Sequence, residues 1–189
     1  MKVIVSGLTA SGKSSVATSL ALNFGIEYFS ASSKLKTLLP KKDFMVWESK
    51  KGIEAVKFRL KNPQYDKRLD SFILSFFRTK KDIVIDSWVA PWKIKDKETV
   101  KIYIKADENI RAKRVSIRDK ISFSEALRFM KQKDLLTKKI YKKIYGIEID
   151  KDLTPFNLVI DSSELDLESV VRICSDYIMH KQDKDSRKT

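Results

Sequence analysis

Eight residues near the start of the chain, Gly7-Leu8-Thr9-Ala10-Ser11-Gly12-Lys13-Ser14, match G-x-x-x-x-G-K-[ST] at every fixed position. Their surroundings give the match its weight. Val3-Ile4-Val5 is a short β-branched run that reads as a buried strand. From Ser14 to Phe24 apolar side chains recur at helical spacing, at Val16, Leu20 and Phe24, and the pattern stops at Gly25. A strand, a glycine-rich turn and a helix in that order form a cradle for phosphate. The glycines let the backbone turn tightly and approach a ligand with no Cβ in the way. Successive N–H groups then point inward, and the helix opening near Lys13 adds its positive end. Lys13 brings a cation to the β- and γ-phosphates of ATP or GTP, and Ser14 offers a hydroxyl to Mg²⁺. The expected nucleotide-binding stretch is residues 7–15, with Ser15 its last member.

The rest of the chain continues the alternation. Ile26 to Phe29, Ile83 to Ile85, Val100 to Ile104 and Asn157 to Ile160 read as further short strands. Helices are expected at Ser33 to Leu39, Asn109 to Arg118, Ser124 to Tyr145 and Leu167 to Met179. The stretch 43–79 is mostly helical by pattern, broken at Asn62-Pro63, with Leu69, Phe72, Ile73 and Phe76 as the buried stripe of its second helix. Five apolar strands alternating with helices argue for an α/β fold in three layers, a five-stranded parallel sheet with helices on both faces. Two segments interrupt the alternation as insertions, 44–78 and 121–146. The core is then about 1–43, 79–120 and 147–180, all within a single domain, and residues 181–189 form a polar tail expected to fray.

Asp86 closes the third strand, so its carboxylate sits at the strand's C-terminal end, where open α/β sheets bind ligands. There it can hold Mg²⁺ with Ser14. The competing reading is a cap of the turn with Ser87.

Composition narrows the partners. The chain has 39 Lys and Arg against 25 Asp and Glu, a net charge of +14. Such a field draws polyanions, whether nucleotides, nucleic acid or acidic membrane. The lysines are spread from Lys34 to Lys188 rather than gathered in a basic module, which favours solvated faces over a nucleic-acid patch. Cys174 is the only cysteine, which excludes an internal disulfide and cysteine-based zinc, and His180, the only histidine, sits near the polar tail, which argues against a His-dependent triad. No apolar run approaches the ~18 residues of a membrane span, and Met1 to Val5 is too short for a signal peptide. A cytoplasmic monomer is expected.

Further markers give the chain a family likeness over nearly its whole length. They are Phe29-Ser30-Ala31, Asn62-Pro63 followed by Asp66 and Asp70, and Arg111-Ala112-Lys113-Arg114. Ile121-Ser122 with Glu125-Ala126-Leu127 follows, then the distinctive Tyr141 to Asp150 stretch, YKKIYGIEID, and Asn157 to Ser162. With the phosphate loop, these resemble the P-loop nucleoside monophosphate kinases, most closely the archaeal-type cytidylate kinases. The resemblance implies transfer of the ATP γ-phosphate to CMP or dCMP with Mg²⁺, on a P-loop kinase fold with an acceptor-binding insertion (44–78) and a lid (121–146). It implies Arg114 and Arg118 beside the donor or the lid hinge; the catalytic cations expected in this chain are Lys13, Lys36 and Lys133. On the acceptor side it implies Asp66 and Arg68 near the base, and Ser32, Lys36, Asp86 and Trp88 are the further residues expected there.

The chain departs from the family where arginines are expected around the transferred phosphoryl group, since guanidinium binds phosphate bidentately. Lys36 stands at the first such position, Ser87-Trp88 replaces Gly-Arg after Asp86, and Lys133 and Ile140 replace two lid arginines. Lys131, Lys138 and Lys139 are candidates to compensate if they reach the site. Lid closure is expected to bring Lys133 and its neighbours over the γ-phosphate. Trp88 and Trp92, flanking Pro91, could wall a different acceptor or pack in the core. Two rival functions stay open: a P-loop kinase with AMP, another nucleotide or a metabolite as acceptor, and an ATP-binding protein with weak transferase activity and an RNA partner.

Overall fold

The computed structural model describes residues 1–40 and 49–186. Its centre is a five-stranded parallel sheet of order β2-β3-β1-β4-β5, made of β1 (Lys2–Ser6), β2 (Glu27–Ser30), β3 (Ile83–Asp86), β4 (Val100–Lys105) and β5 (Leu158–Asp161). β1 lies between β3 and β4, and its residues alternate between two cores. Val3 and Val5 point to the side covered by α1 (Lys13–Phe24) and α8 (Leu167–Ser186). Ile4 points to the side covered by α2 (Ala31–Leu38) and α4 (Gln64–Thr79). All three are fully buried. Burying a side chain of this size contributes about 1.5–3 kcal/mol, which is why the inner strands read as unbroken apolar runs.

The stops and starts follow local chemistry. Gly25 ends α1 at φ 62°, its N–H bonded to the carbonyls of Ala21 and Leu22. At Asn62-Pro63 the chain leaves α3 (Ser49–Lys61) and enters α4. α6 (Glu108–Asp119) is capped by the Asp107 side chain. α7 (Phe123–Tyr145) opens on a reciprocal pair, Ser122 and Glu125, and ends at Gly146 with φ 70°. The sequence did not indicate α5 (Ala90–Lys93), a single turn too short to show periodicity.

Two expectations need correction. The buried stripe of α4 is Leu69, Ile73 and Phe77, with Asp66 and Asp70 beside them, whereas Phe72 is exposed and Phe76 only half-buried. The hydrophobic run in α4 is wider than its buried face, so spacing alone mis-set the register. Nor does the last helix stop at Met179. α8 continues to Ser186, held where the Lys181 ammonium donates to the carbonyls of Lys97 (3.0 Å) and Thr99 (3.4 Å). Residues 187–189 lie outside the described residues, as do 44–48 at the start of the expected acceptor insertion. Within the described part of the two insertions, α3 and α4 lie between α2 and β3, and α7 packs along α6 and α3.

Candidate active site

β1 delivers the chain to Gly7 at the C-terminal edge of the sheet, and the loop there is tightly constrained. Gly7 has φ +154°, and a Cβ on it would run into the carbonyl of Ile104 and the hydroxyl of Ser11. Gly12 (φ +99°) turns the backbone into α1 without any side-chain cap, so the first N–H groups of the helix have no capping partner. Thr9 Oγ1 and Ser11 Oγ are buried without hydrogen-bond partners. The orphaned donors, two unsatisfied hydroxyls and the helix's positive end all suit an anion with several oxygens.

Other elements brace this loop. Arg114 of α6 donates through Nη1 to the carbonyls of Ala10 (3.4 Å) and Ser11 (3.2 Å), and through Nη2 to that of Ser162 (2.7 Å). Arg111 donates to the carbonyl of Thr9 (3.0 Å) and to Asp134 of α7 (2.7 Å), while Asp134 accepts the Thr9 N–H (3.2 Å).

Asp86, 3% exposed at the end of β3, faces the start of α1. Its carboxylate accepts the Ser14 hydroxyl at 2.5 Å and lies 3.5 Å from the Lys13 ammonium, with the Tyr28 hydroxyl at 3.4 Å. One hydroxyl and one carboxylate side by side suit a small hard cation that fills the rest of its shell with water and phosphate oxygens. The described residues hold no group of three or more His, Cys, Asp or Glu side chains that could cage a metal on their own. The residues present therefore fit Mg²⁺ arriving with a nucleotide. Asp86 does not take the capping role, since the Ala90 N–H is accepted by the Ser87 hydroxyl.

A cavity of about 510 Å³ extends from this loop. Thr9, Ala10 and residues 12–15 form one end. Ser32, Leu35 and Lys36 of α2, Arg59 of α3 and Leu69 of α4 form another side, with Trp88 and Tyr141 as aromatic walls. Asp86, Ser87, Arg114, Arg118, Lys133 and Thr137 also line it. The structure thus brings Lys13, Ser14, Ser32, Lys36, Asp86, Trp88, Arg114, Arg118 and Lys133 into one space. Gly7, Leu8 and Ser11 support the loop from outside the lining.

Several expected residues stand elsewhere. Arg68 is exposed and does not line the cavity, because its position on α4 lies outside the Leu69–Ile73–Phe77 stripe. Asp66 is fully buried and locked to Arg59, accepting from Nη2 at 2.6 Å and Nε at 3.2 Å, so it orients that guanidinium instead of reaching a ligand. The three candidate compensating lysines do not reach the site either. Lys131 pairs with Glu108 (2.9 Å), Lys138 with Asp150 (2.6 Å), and Lys139 is exposed. Ile140 is buried. The two tryptophans divide: Trp88 walls the cavity, whereas Trp92 packs edge-on against Phe156 and donates its indole N–H to Asp152.

Missing from the sequence reading were Arg59, Thr137, Tyr141 and the Arg111–Asp134 pair. Arg59 is an arginine in the cavity, supplied from α3 and not from the positions where guanidinium was sought. Thr137 and Tyr141 each follow Lys133 by multiples of four on α7, and that helical spacing was the available signal.

Two titratable groups are displaced. Burial, and then the charges of Lys13 and Arg118, push Lys133 down to about 8. Beneath the cavity, burial raises Asp70 to about 7 although the Tyr145 hydroxyl bonds it at 2.9 Å.

A parallel sheet of order 2-3-1-4-5, a phosphate loop leading into its first helix and a basic cavity beside it define a P-loop kinase, an ATP-dependent phosphotransferase. Solved structures support the fold. A gluconokinase from Sinorhizobium meliloti superposes with a TM-score of 0.60 at 13% identity, covering 100% of this chain and 97% of its own. A shikimate kinase from Bacteroides thetaiotaomicron gives 0.59 at 10% identity, with 95% and 98% covered. The chain belongs to the cytidylate kinase-like family, whose profile matches residues 3–164. It is 37% identical to a cytidylate kinase of Pyrobaculum neutrophilum over 179 residues, 93% of this chain and 91% of the relative. It is 33% identical to one of Saccharolobus islandicus over 178 residues, 94% and 90% of the two.

Proposed function

We propose that this chain transfers the γ-phosphoryl group of ATP to CMP or dCMP. The observation that carries the reading is the continuity of the 510 Å³ cavity. It starts at the phosphate loop, reaches Lys36, Arg59 and Tyr141, and holds six cationic side chains against one carboxylate. So positive a space suits two phosphate-bearing ligands meeting end to end. Phosphoryl transfer needs that placement and little else, because charge spreads over three equatorial oxygens while donor and acceptor stay in line.

In this reading the loop amides and Lys13 hold the donor's phosphates. Ser14 and Asp86 would hold Mg²⁺, which when bound would neutralise phosphate charge. Lys36 and Arg59 grip the acceptor phosphate, Arg59 held in orientation by Asp66. Trp88 and Tyr141 flank the acceptor with flat surfaces. Lys133 supplies charge to the moving group, and α7 keeps water away from it. The attacking atom is a phosphate oxygen, so no general base is needed.

A coupled assay with CMP, dCMP, AMP, UMP and GMP tests the proposal. Fastest turnover with the two cytidine nucleotides is expected. A preference for AMP, or ATP hydrolysis without an acceptor product, would overturn it. Lys13→Ala should abolish turnover with the fold intact. Lys36→Ala should raise KM for the acceptor far more than for ATP.

A further inference from the structure

Lys101, at the start of β4, is an anomaly that the phosphotransfer site does not use. It is 7% exposed, and its ammonium has a single hydrogen-bond acceptor, the carbonyl of Ile94. An ammonium has three donors, and burying one without a counter-charge is costly. Among the described residues no carboxylate lies within ion-pair distance of it. Lys95 and Lys181 instead add like charge, and Asp96 only partly opposes them. Burial and then the charge of Lys95 lower the affinity of Lys101 for its own proton.

This side chain lines a second cavity, of about 400 Å³, beside the N-terminal ends of β4 and β5. The cavity shares no lining residue with the first, which opens at the opposite edge of the sheet. Lys95 and Lys97 line it as well, and Lys181 sits at the same turn, bonded to the carbonyls of Lys97 and Thr99. Two carboxylates line it, both already engaged. Asp96 accepts the Thr99 hydroxyl (2.6 Å) and the Glu98 N–H (3.1 Å). Asp152 accepts from the Trp92 indole (3.0 Å), the Thr154 N–H (3.1 Å) and the Thr154 hydroxyl (2.6 Å). The donors left over in the lining are therefore the Asn157 amide and three ammonium groups, that of buried Lys101 and those of exposed Lys95 and Lys97, around a cavity of about 400 Å³.

We infer that this cavity is a second anion site, distinct from the phosphate loop, which takes a phosphate group with Lys101 as its buried anchor and Lys95 and Lys97 as its outer contacts. The phosphate can come from the free ion or from a nucleotide.

Titration calorimetry on full-length Lys13→Met protein, whose phosphate loop is crippled, tests this with pyrophosphate as probe. Saturable binding is expected, weakened about thirtyfold or more by Lys101→Met, the loss typical when one member of a buried charge pair is removed. Should Lys101→Met fail to fold, the Lys95→Met/Lys97→Met double variant gives the second measurement, and it too should weaken binding. Repeating the titration with CMP and ATP separates the sources. Lys101-dependent binding that is tighter for a nucleotide assigns the site to nucleotides, and equal binding assigns it to the phosphate group alone. Absence of pyrophosphate binding in Lys13→Met protein, or binding unchanged by both sets of lysine substitutions, overturns the inference.

Discussion

Replacing Asp134 with alanine opens a closed ring of contacts between α7, α6 and the phosphate loop. Asp134 is 5% exposed; one of its oxygens accepts from Arg111 at 2.7 Å and the other accepts the Thr9 N–H at 3.2 Å. Arg111, 6% exposed, closes the ring through the Thr9 carbonyl at 3.0 Å. Alanine leaves a buried guanidinium without its carboxylate, which costs about 3–5 kcal/mol. The orphaned Thr9 N–H costs about 1–3 kcal/mol in isolation, but it belongs to the same network and the two penalties overlap. The expected loss is thus about 3–5 kcal/mol, a fall in Tm of about 6–20 °C for a chain of this length. Because the ring fixes the first turn of the loop, ATP affinity should fall in the fraction that stays folded. Urea unfolding and calorimetric ATP titration, both with Asp134→Asn as the shape-preserving control, measure the two effects. A loss below about 1 kcal/mol, the range of exposed ion pairs, with ATP affinity unchanged would refute the reasoning.

The remaining predictions concern the loop and the two displaced groups. Gly7→Ala places a Cβ against Ile104 and Ser11 at φ +154°, straining the loop by about 1–3 kcal/mol, and should weaken ATP binding in a folded protein; unchanged affinity would count against the tight-turn argument. Lys133, pushed down to about 8, loses its charge as pH rises through that value, so kcat/KM for ATP should decline above about pH 8. Lys133→Arg, charged throughout, should carry the plateau higher, and an unchanged profile would remove Lys133 from the donor site. Asp70, raised by burial to about 7, binds its proton more tightly in the folded chain than in the unfolded one. Its contribution to stability is therefore complete below about pH 4 and is lost as pH rises to 7. Asp70→Asn should flatten the pH dependence of Tm between those values, and a profile with the same slope would place the titration elsewhere.

The sheet and the phosphate loop were legible in the sequence because both write themselves locally. Val3 to Val5 and Ile83 to Ile85 are apolar runs fixed by burial on two faces, and Gly7, Gly12 and Lys13 occupy positions that only a phosphate turn requires. The far end of the cavity was not legible in the same way. Which residues of α3 and α4 face it depends on helix rotation, and in α4 the apolar face is broad enough to suit more than one register. Placing Phe72 inward was an error of angle, and Arg68, which the family likeness implied near a ligand, lies four residues earlier on the same exposed face. Trp92 was ambiguous for a different reason, since an indole can wall a cavity or donate to a carboxylate in the core. Its bond to Asp152, some 60 residues away in sequence, decides which.

The family pattern puts guanidinium at particular sequence positions, whereas the chemistry requires positive charge around a point in space. Lys36 and Lys133 stand where arginines were expected, and Arg59 and Arg118 reach the same cavity from other elements. Each substitution has a consequence. A lysine supplies charge without a planar fork, so its grip depends on what fixes its stem, and Lys133 titrates where an arginine would not. Arg59 does have the fork, and Asp66 occupies two of its donors, fixing its plane before any ligand arrives. The cavity therefore combines the Arg59 and Arg114 guanidinium groups, each fixed by its own hydrogen bonds, with the ammonium groups of Lys13, Lys36 and Lys133. If Asp66 serves to align Arg59, then Asp66→Asn should raise KM for the acceptor while leaving KM for ATP near its starting value. A parallel rise in both would mean that the pair only holds α3 against α4.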